Sequence, residues 1–398
     1  MEYVKLKDIT TKITKGTTPS NIGATFTDEG INYFRSEMLG KSKYLDKSSG
    51  MMFISENTHN KLKRSQIETG DILFSMAGIY LGKLAIVKAE DVPANTNQAV
   101  ALIRFNKGVN IDYLYYFMVQ KSFNSYVNCM SAQAAQPNIN LKQIGNLQIA
   151  LPTDEQQKRI ADILSTYDNL IENNNKRIKL LEQMAENLYK EWFVRFRFPG
   201  YEDVEFEEKK PRGWQVGTED KNHFAPTIFR YDEFGIIGSF VRGKNITAAQ
   251  MIEGNIPVIS AGLQPSGYHN EANVFGENLT ISASGANAGY LQYNLNDIWA
   301  ADCSYYQDDA TIWFVYNTLK YLQPVISNLQ CGAAQPHVYP KNINRLCILI
   351  PTEELIHKYN DSVKPYYDEI KVLNQHNQLL TKQRDLLLPR LMSGKLEV

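Results

Sequence analysis

The chain has 398 residues, and its 42 Lys and Arg nearly balance its 43 Asp and Glu, which gives a net charge of −1 at pH 7. No apolar run approaches the ~20 residues of a membrane-spanning helix, and the first residues lack the apolar stretch of a signal peptide. The four cysteines, Cys129, Cys303, Cys331 and Cys347, are not spaced as metal ligands, and we expect reduced core residues. These features argue against a membrane or disulfide-rich protein and predict a cytoplasmic location.

Residues 1–152 predict a first globular domain of mixed α/β structure. β-branched and aromatic residues lead into a small-residue turn, Ser75-Met76-Ala77-Gly78, as at the end of a strand. The predicted elements, in chain order, are a strand within 29–36, a Gly-flanked strand and turn within 70–87, a strand at 100–105, a helix at 111–127 and a closing strand before Pro152.

Residues 153–197 predict a long helix. Apolar positions recur at alternating spacings of four and three from Ile160 to Trp192, which is the heptad pattern of a coiled coil. Thr153 can cap the first turn, and Gln156 can close a capping box on it.

Residues 198–351 predict a linker followed by a second mixed α/β domain with the same order of elements. Its small-residue turn is Ser282-Ala283-Ser284-Gly285. The predicted elements are a strand within 253–260, a Gly-flanked strand and turn within 276–293, a strand at 310–315 and a helix at 318–326.

Residues 352–390 predict a second long helix in the same heptad phase, and residues 391–398 a C-terminal tail. Pro365 lies inside this helix and lacks a backbone donor, so we expect a kink or a restart near it.

The chain is an internal repeat. The segment AAQPNINLKQIGNLQIALPTDE at 134–155 returns at 333–354 as AAQPHVYPKNINRLCILIPTEE, with 11 of 22 positions identical at an offset of 199. Each copy ends a globular domain and begins a long helix. If a pseudo-two-fold axis relates the copies, the second helix runs antiparallel to the first, and the two form a coiled coil.

The polar residues of the heptad seam predict its register. Asn in an apolar seam prefers another Asn, so we place Asn174 opposite Asn377. This register sets Arg384 against Tyr167 as a stacking pair. It also gives the seam pairs Ile171 with Leu380, Ile178 with Leu373, Leu164 with Leu387 and Trp192 with Tyr359.

Motifs for catalysis are missing from the sequence. The segment from Gly78 to Lys83 has neither the spacing nor the Ser or Thr of a phosphate-binding P-loop. No NPPY-type methyltransferase tetrapeptide, HExxH set or convincing carboxylate cluster is present. We expect no catalytic residue, no metal ligand and no catalysis by this chain alone.

The charge is uneven between the two domains. Residues 1–152 hold 17 basic and 12 acidic residues, whereas residues 213–351 hold 7 and 11. The first domain therefore suits a nucleic acid better than the second, which would depend on backbone amides and a few local cations such as Arg242, Lys244 and Lys341. Polar residues beside Gly turns at strand ends are the candidate DNA contacts. They are Arg35, Ser36, Lys61, Arg64, Ser75 and Lys83 in the first domain, and Arg242, Ser260, Tyr268, Ser284 and Asn287 in the second.

Four segments together resemble the specificity subunit of Type I restriction-modification systems. They are GDILFSMAGIYLGK, the AAQP junctions ending in LPTDEQQKRIA and IPTEEL, the helix end LYKEWFVRFRFPGYE, and the terminus LLLPRLMSGKLEV. The resemblance spans the entire chain. The junctions and the terminus are its most specific parts.

The resemblance implies two target recognition domains, separated by two antiparallel helices, that recognise a bipartite, asymmetric DNA site without catalysis. It implies double-stranded DNA, two methyltransferase subunits and two restriction/translocase subunits as partners of a multisubunit restriction endonuclease and adenine-N6 methyltransferase. S-adenosylmethionine, ATP and Mg²⁺ would be bound by those partners, and no cofactor by this chain. The residues themselves leave open a non-DNA scaffold with two repeated ligand-binding domains, which the acidic second domain would suit.

Overall fold

A computed structural model describes residues 2–131, 138–209, 224–330 and 336–396. The contacts divide the chain into two compact units, the first of residues 1–173 with 376–398 and the second of residues 174–375. Each unit combines one globular domain with part of both long helices. The unit boundaries thus fall within the two long helices. The repeated AAQP segments lie outside the described residues except for Pro336, as does Cys331.

The globular part of the first unit contains nine strands and four short α-helices among its described residues. The strands are β1 Glu2–Lys5, β2 Thr10–Lys15, β3 Ile31–Phe34, β4 Met52–Ile54, β5 Ile72–Ser75, β6 Leu84–Ile86, β7 Ala94–Thr96, β8 Val100–Phe105 and β9 Gln148–Leu151. The α-helices are α1 Glu56–Lys61, α2 Ile111–Met118, α3 Lys121–Ser131 and α4 Leu141–Gly145.

The second globular part follows the first long helix, α5 Asp154–Tyr189, and precedes the second, α9 Glu353–Met392. Its strands are β10 Phe206–Glu208, β11 Phe224–Pro226, β12 Arg230–Glu233, β13 Val241–Arg242, β14 Ile256–Ile259, β15 Gly267–His269, β16 Asn278–Ser282, β17 Leu291–Asn294, β18 Trp299–Ala300, β19 Cys303–Tyr306 and β20 Cys347–Ile350. Its helices are α6 Ile312–Tyr321, α7 Gln323–Asn328 and α8 Pro340–Asn344.

The two globular parts share one sheet topology. The first has a four-stranded antiparallel sheet in the order β2-β8-β5-β6, a three-stranded sheet β4-β3-β7 and the pair β1-β9. The second has β13-β19-β16-β17, β15-β14-β18 and β12-β20 in the same order. Even the parallel pairing recurs, between β3 and β7 and between β14 and β18. The predicted mixed α/β repeat is therefore confirmed in its sheet topology, although the second part has an additional pair, β10-β11, without a counterpart among the described residues of the first.

One predicted strand is wrong. Residues 310–315 belong mostly to helix α6, and the strand position equivalent to β8 is taken by β19. An apolar run without periodicity fits a buried helix as well as a buried strand. Here the helix is favoured by packing, since the ring of Trp313 stacks on that of Tyr367 in α9 at 3.6 Å between centroids.

Both long helices are present, with small differences from the prediction. Helix α5 continues into a π-helical turn, Lys190–Val194. The predicted capping box forms, with Thr153 and Gln156 each bonding the other's backbone N–H at 3.3 to 3.4 Å. Helix α9 runs through Pro365 without interruption, so the predicted restart there is wrong.

Within the second unit, the segments of α5 and α9 run antiparallel. The hydroxyl of Tyr359 donates to the carbonyl of Ala185 at 2.9 Å, and Arg177 pairs with Glu369 at 2.6 Å. The predicted neighbours Trp192 and Tyr359 are confirmed, with 5.7 Å between ring centroids.

Within the first unit, Arg384 of α9 contacts α5 in a way that the sequence did not predict. Its guanidinium pairs with the carboxylate of Asp168, instead of stacking on the neighbouring Tyr167. Leu164 and Leu387, which the predicted register pairs, both contribute to one apolar cluster of the first unit.

The remaining seam residues have the burial expected of seam positions. Asn174 and Leu373 are buried, and Asn377, Ile171, Ile178 and Leu380 are half-buried. The pairing of Asn174 with Asn377 would join the two units and stays a prediction.

Among the described residues, no helix is long and apolar enough to cross a membrane. The prediction of core cysteines holds for Cys303, which is buried, but Cys129 is exposed and Cys347 is half-buried.

Candidate nucleic-acid interface

The central strand of the first domain, β5, ends in a tight turn of residues 75–83, here called the first turn. The amide of Ser75 donates to the carbonyl of Lys83 at 2.8 Å, and the amide of Gly82 donates back to Ser75 at 3.0 Å. Gly78 and Gly82 have φ values of +66° and +79°, which glycine adopts without strain. The backbone of the turn is thus closed by its own hydrogen bonds and needs no ligand to order it.

The second domain has the same turn after β16, in residues 282–290, here called the second turn. The amide of Ser282 donates to Tyr290 at 3.0 Å, and the amide of Gly289 donates to Ser282 at 2.8 Å. Gly285 and Gly289 again have positive φ values, +76° and +88°. The two turns therefore match residue for residue at an offset of 207.

The side chains on these matched backbones differ in chemistry. The apex of the first turn presents Ile79, whose surface is 86% exposed, and the ammonium of Lys83 lies 4.9 Å from the ring centre of Tyr80. In the second turn, Ala286 takes the place of Ile79, Tyr290 that of Lys83, and Asn287 that of Tyr80. One scaffold thus displays a cationic and apolar surface in the first domain and an amide and phenol in the second.

Two of the predicted contact residues are buried and are corrected here. The side chain of Ser75 is fully buried, and its hydroxyl has no partner among the described residues. Ser284 is also buried and donates a hydrogen bond to Asp302. Neither hydroxyl is on a surface that DNA could touch. The reason is that the strand is covered on both faces, which small polar residues in a turn sequence do not reveal.

The end of β2 lies on the same side of the sheet as the end of β5, because both pair with the start of β8, Lys15 with Ala101 and Ser75 with Val100. A Cβ atom on Gly16 would lie only 1.8 Å from the carbonyl oxygen of Thr96, so only glycine fits there. The hydroxyl of Thr17 accepts a hydrogen bond from Arg64 at 3.3 Å. The hydroxyl of Thr96 donates to the carbonyl of Phe34 at 2.9 Å. The ends of β2 and β3 and the predicted Arg64 are therefore neighbours.

The equivalent segment of the second domain is Arg242-Gly243. A Cβ atom on Gly243 would lie 2.5 Å from the carbonyl oxygen of Ala301, so the close approach of the backbones recurs. The guanidinium of Arg242 pairs with Asp302, which also accepts the hydrogen bond from Ser284. The side chain of Arg242 remains 40% exposed. Because the carboxylate of Asp302 fixes the position of this guanidinium, its remaining N–H groups can donate two hydrogen bonds to a base edge or a phosphate.

One basic residue beside the predicted contacts, Lys15, was not identified from the sequence. Lys15 precedes Gly16 as Arg242 precedes Gly243, and this shared basic-Gly pair was the available signal. Lys244 was expected as a local cation of the second domain. Its carbonyl accepts from the indole N–H of Trp299 at 2.8 Å, and its ammonium lies 6.0 Å from that ring centre.

The other predicted residues lie at strand ends or on the surface. Arg35 follows β3 and pairs with Glu37 at 2.9 Å, and its buried Nε has no partner among the described residues. Ser36 and Ser260 are half-buried, and Lys61 is exposed at the end of α1. The second domain adds Tyr268 on β15, which is 58% exposed, and the half-buried Asn287 of the second turn.

Burial raises the pKa of two titratable groups of this region. The pKa of Tyr33 is raised to about 12, and its phenol donates to the carbonyl of Thr17 at 3.2 Å. The pKa of the Cys303 thiol is also raised to about 12. Among the described residues, no cluster of three or more His, Cys, Asp or Glu could hold a metal ion.

Comparison with known proteins gives a consistent result over the whole chain. The sequence is similar to the MjaIX specificity subunit of a type I restriction enzyme from Methanocaldococcus jannaschii, with 28% identity over 99% of this chain and 93% of that one. It is also similar to the HindI specificity subunit from Haemophilus influenzae, with 22% identity over 84% of this chain and 88% of that one.

The fold is similar to the crystal structure of the type I restriction-modification S subunit from M. genitalium. The TM-score is 0.56 at 17% sequence identity, over 98% of this chain and 95% of that one. The family model described as the Type I restriction modification DNA specificity domain matches residues 1–183 and 237–382. Because these matches cover most of the chain, it belongs to the family of type I restriction-modification DNA specificity subunits.

Proposed function

We propose that each globular domain recognises one half of a bipartite DNA site and that the two halves differ in sequence. The observation that carries this proposal is the pair of matched turns, residues 75–83 and 282–290, whose backbones agree and whose exposed side chains do not. A repeated scaffold matches the local two-fold symmetry of a duplex, as in dimeric repressors. Different side chains on that scaffold then select different bases.

The two domains would bind DNA by different means. The first domain has an excess of basic residues, and Arg64, Lys15 and Lys83 lie around the ends of β2 and β5. The second domain has an excess of acidic residues and would depend on Arg242, supported by Asp302, and on amide and aromatic side chains. Phosphate contacts should therefore contribute more to affinity in the first domain.

The chain would act as the non-catalytic subunit of a larger assembly. Exposed apolar residues lie on both long helices, including Leu170, Leu379 and Leu386 in the first unit and Leu180 and Met184 in the second. Exposed apolar residues on long helices suit docking of partner helices. Two methyltransferase subunits, and through them two restriction/translocase subunits, would bind there and carry S-adenosylmethionine, ATP and Mg²⁺.

Selection from a random duplex pool tests this function directly. The intact chain, purified with its methyltransferase partner, should enrich duplexes that contain two short defined sequences at a constant separation, and the two sequences should differ. Binding should weaken steeply as salt increases. Enrichment of a single continuous sequence, or binding to the pool that is insensitive to salt and sequence, would contradict the proposal.

A further inference from the structure

The first domain contains a pocket of about 370 Å³ that shares no lining residue with the first turn. It is formed where β2 and the preceding short 3₁₀ turn meet helix α4. Three of the residues that line it are lysines, and the described residues that line it include no Asp or Glu. The lining residues are Lys7, Thr10, Thr11, Lys12, Ile13, Leu141, Lys142, Gly145 and Asn146.

The lysines of this pocket are the groups that remain available to a ligand. The hydroxyl of Thr10 donates to the carbonyl of Lys7 at 3.2 Å, and that of Thr11 donates to the carbonyl of Arg104 at 3.3 Å. Both hydroxyl protons are therefore already used. In contrast, Lys7, Lys12 and Lys142 form no salt bridge with any acid in the described part of the chain.

The internal repeat shows how the corresponding place in the second domain is occupied. From the registers of β1 with β9 and β12 with β20, Gly145 is equivalent to Asn344. Asn344 fills the corresponding space, since its side chain accepts from the amide of Phe240 at 2.9 Å and donates to the carbonyl of Phe240 at 3.1 Å. The absence of a side chain at Gly145 leaves this space open in the first domain.

The basic residues of the pocket also differ between the domains. Through the same registers, Lys7 corresponds to Gly235, and the register of β2 with β8 and β13 with β19 relates Lys12 to Ser239. Lys142 corresponds to Lys341, and the lining residue Asn146 corresponds to Arg345. The first domain thus has three lysines around an open space, where the second has two basic residues beside the side chain of Asn344.

We propose that this pocket is an anion site that holds a phosphate group. Three lysines line one cavity, and a bound dianion or diester would offset their positive charge while accepting their hydrogen bonds. The phosphate could come from a DNA backbone or from a free nucleotide or phosphate ion. The DNA source rests on the function proposed above. Strand β2 separates Lys12 of the pocket from Lys15 of the proposed interface by roughly 10 Å, which is the rise of about three base pairs. A duplex bound at Lys15 could therefore place a backbone phosphate near the pocket.

Two variants test the pocket by different means. Lys7→Ala/Lys12→Ala/Lys142→Ala removes its charge, whereas Gly145→Asn should close it without changing the charge. A Cβ atom on Gly145 would meet Lys7 Cβ at 3.5 Å and Ile13 Cδ1 at 3.7 Å, which are ordinary contacts, so the closed variant should fold. Lys107→Ala is the matched control, because Lys107 is an exposed lysine of the same domain.

The first measurement is duplex affinity as a function of salt, made with the full chain in its methyltransferase complex. If the pocket holds a backbone phosphate, the triple variant should reduce the slope of log affinity against log salt by roughly one to three, since each phosphate contact contributes about 0.9. Gly145→Asn should weaken binding several-fold. Neither variant should change the selected bases, and the control should change the slope by one contact at most.

The second measurement is line broadening of inorganic phosphate in ³¹P NMR, on the same complex without DNA. Broadening by the wild-type complex that both pocket variants abolish, with duplex affinity unchanged, would assign the site to free phosphate and support the anion site itself. If neither the salt dependence nor the phosphate signal differs between the pocket variants and the control, the proposed site is wrong. The bipartite selection described above would stand unaffected in that case.

Discussion

Asp168 of the first long helix accepts a hydrogen bond from Arg384 of the second, with 2.5 Å between Oδ1 and Nη1. Its other oxygen accepts from the hydroxyl of Tyr116 in the globular part of the same unit, also at 2.5 Å. Burial and the nearby Asp168 carboxylate raise the pKa of Tyr116, so the phenol stays protonated and keeps donating. This one carboxylate therefore connects both long helices to the first domain.

We expect Asp168→Ala to destabilise the first unit by about 3 kcal/mol, because it leaves Arg384 without its buried partner. The matched control is Arg177→Ala, which removes the exposed ion pair with Glu369 and should cost less than ~1 kcal/mol. Urea unfolding of both variants measures the two values. Equal midpoints for the two variants would show that Asp168 is not a structural junction.

Gly16→Ala should destabilise the protein by about 1–3 kcal/mol, because the new Cβ would overlap the carbonyl of Thr96 and force the end of β2 away from β7. Gly145→Ala is the control, since its Cβ would make only ordinary contacts. The same unfolding assay compares them. If Gly16→Ala unfolds no earlier than Gly145→Ala, the close approach of the backbones is not required.

Arg242→Ala should relax selection at one base pair by about 1–3 kcal/mol while the half-site of the first domain is retained. Competition among duplexes that differ at single positions measures this. Asp302→Asn should have a smaller effect at the same position, because it keeps a hydrogen-bond acceptor behind the guanidinium. Arg230→Ala, at an exposed arginine of the same domain, is the control. A uniform loss across all duplexes would instead identify Arg242 as a phosphate contact.

The sequence predicted the repeat and the long helices because their signals are local and periodic. The heptad phase from Ile160 to Trp192, together with the register chosen by the two seam asparagines, placed Trp192 beside Tyr359. Some strands of each domain were also predicted, since Gly and turn residues mark their ends.

The features that the sequence did not predict depend on tertiary packing. Residues 310–315 are apolar without a period, and it is the stacking of Trp313 on Tyr367 that shows their helical packing. Whether Ser75 faces solvent depends on which elements cover β5. Likewise, the requirement for glycine at position 16 comes from the carbonyl of Thr96, which is distant in sequence.

The long helices should set the spacing between the two half-sites. Inserting one heptad in each helix, after Asn174 and just before Asn377, keeps the seam phase and adds about 10.5 Å. The selected gap should then grow by about three base pairs, or fewer if the helices lie oblique to the DNA. Insertion of two residues in each helix is the control and should disrupt folding or partner docking. A folded, active complex with the original gap would mean that the partner subunits set the spacing.

Exchange of one domain tests the central claim most directly. Residues 1–152 are replaced by the equivalent domain of a relative that keeps residues equivalent to Lys43 and Tyr116, which bond Ser165 and Asp168 of helix α5. The duplexes selected by the hybrid complex are then sequenced. If each domain recognises its own half-site, one half should change to that of the donor, and the other half and the gap should remain. A change in both halves, or in neither, would contradict independent recognition by the two repeated domains.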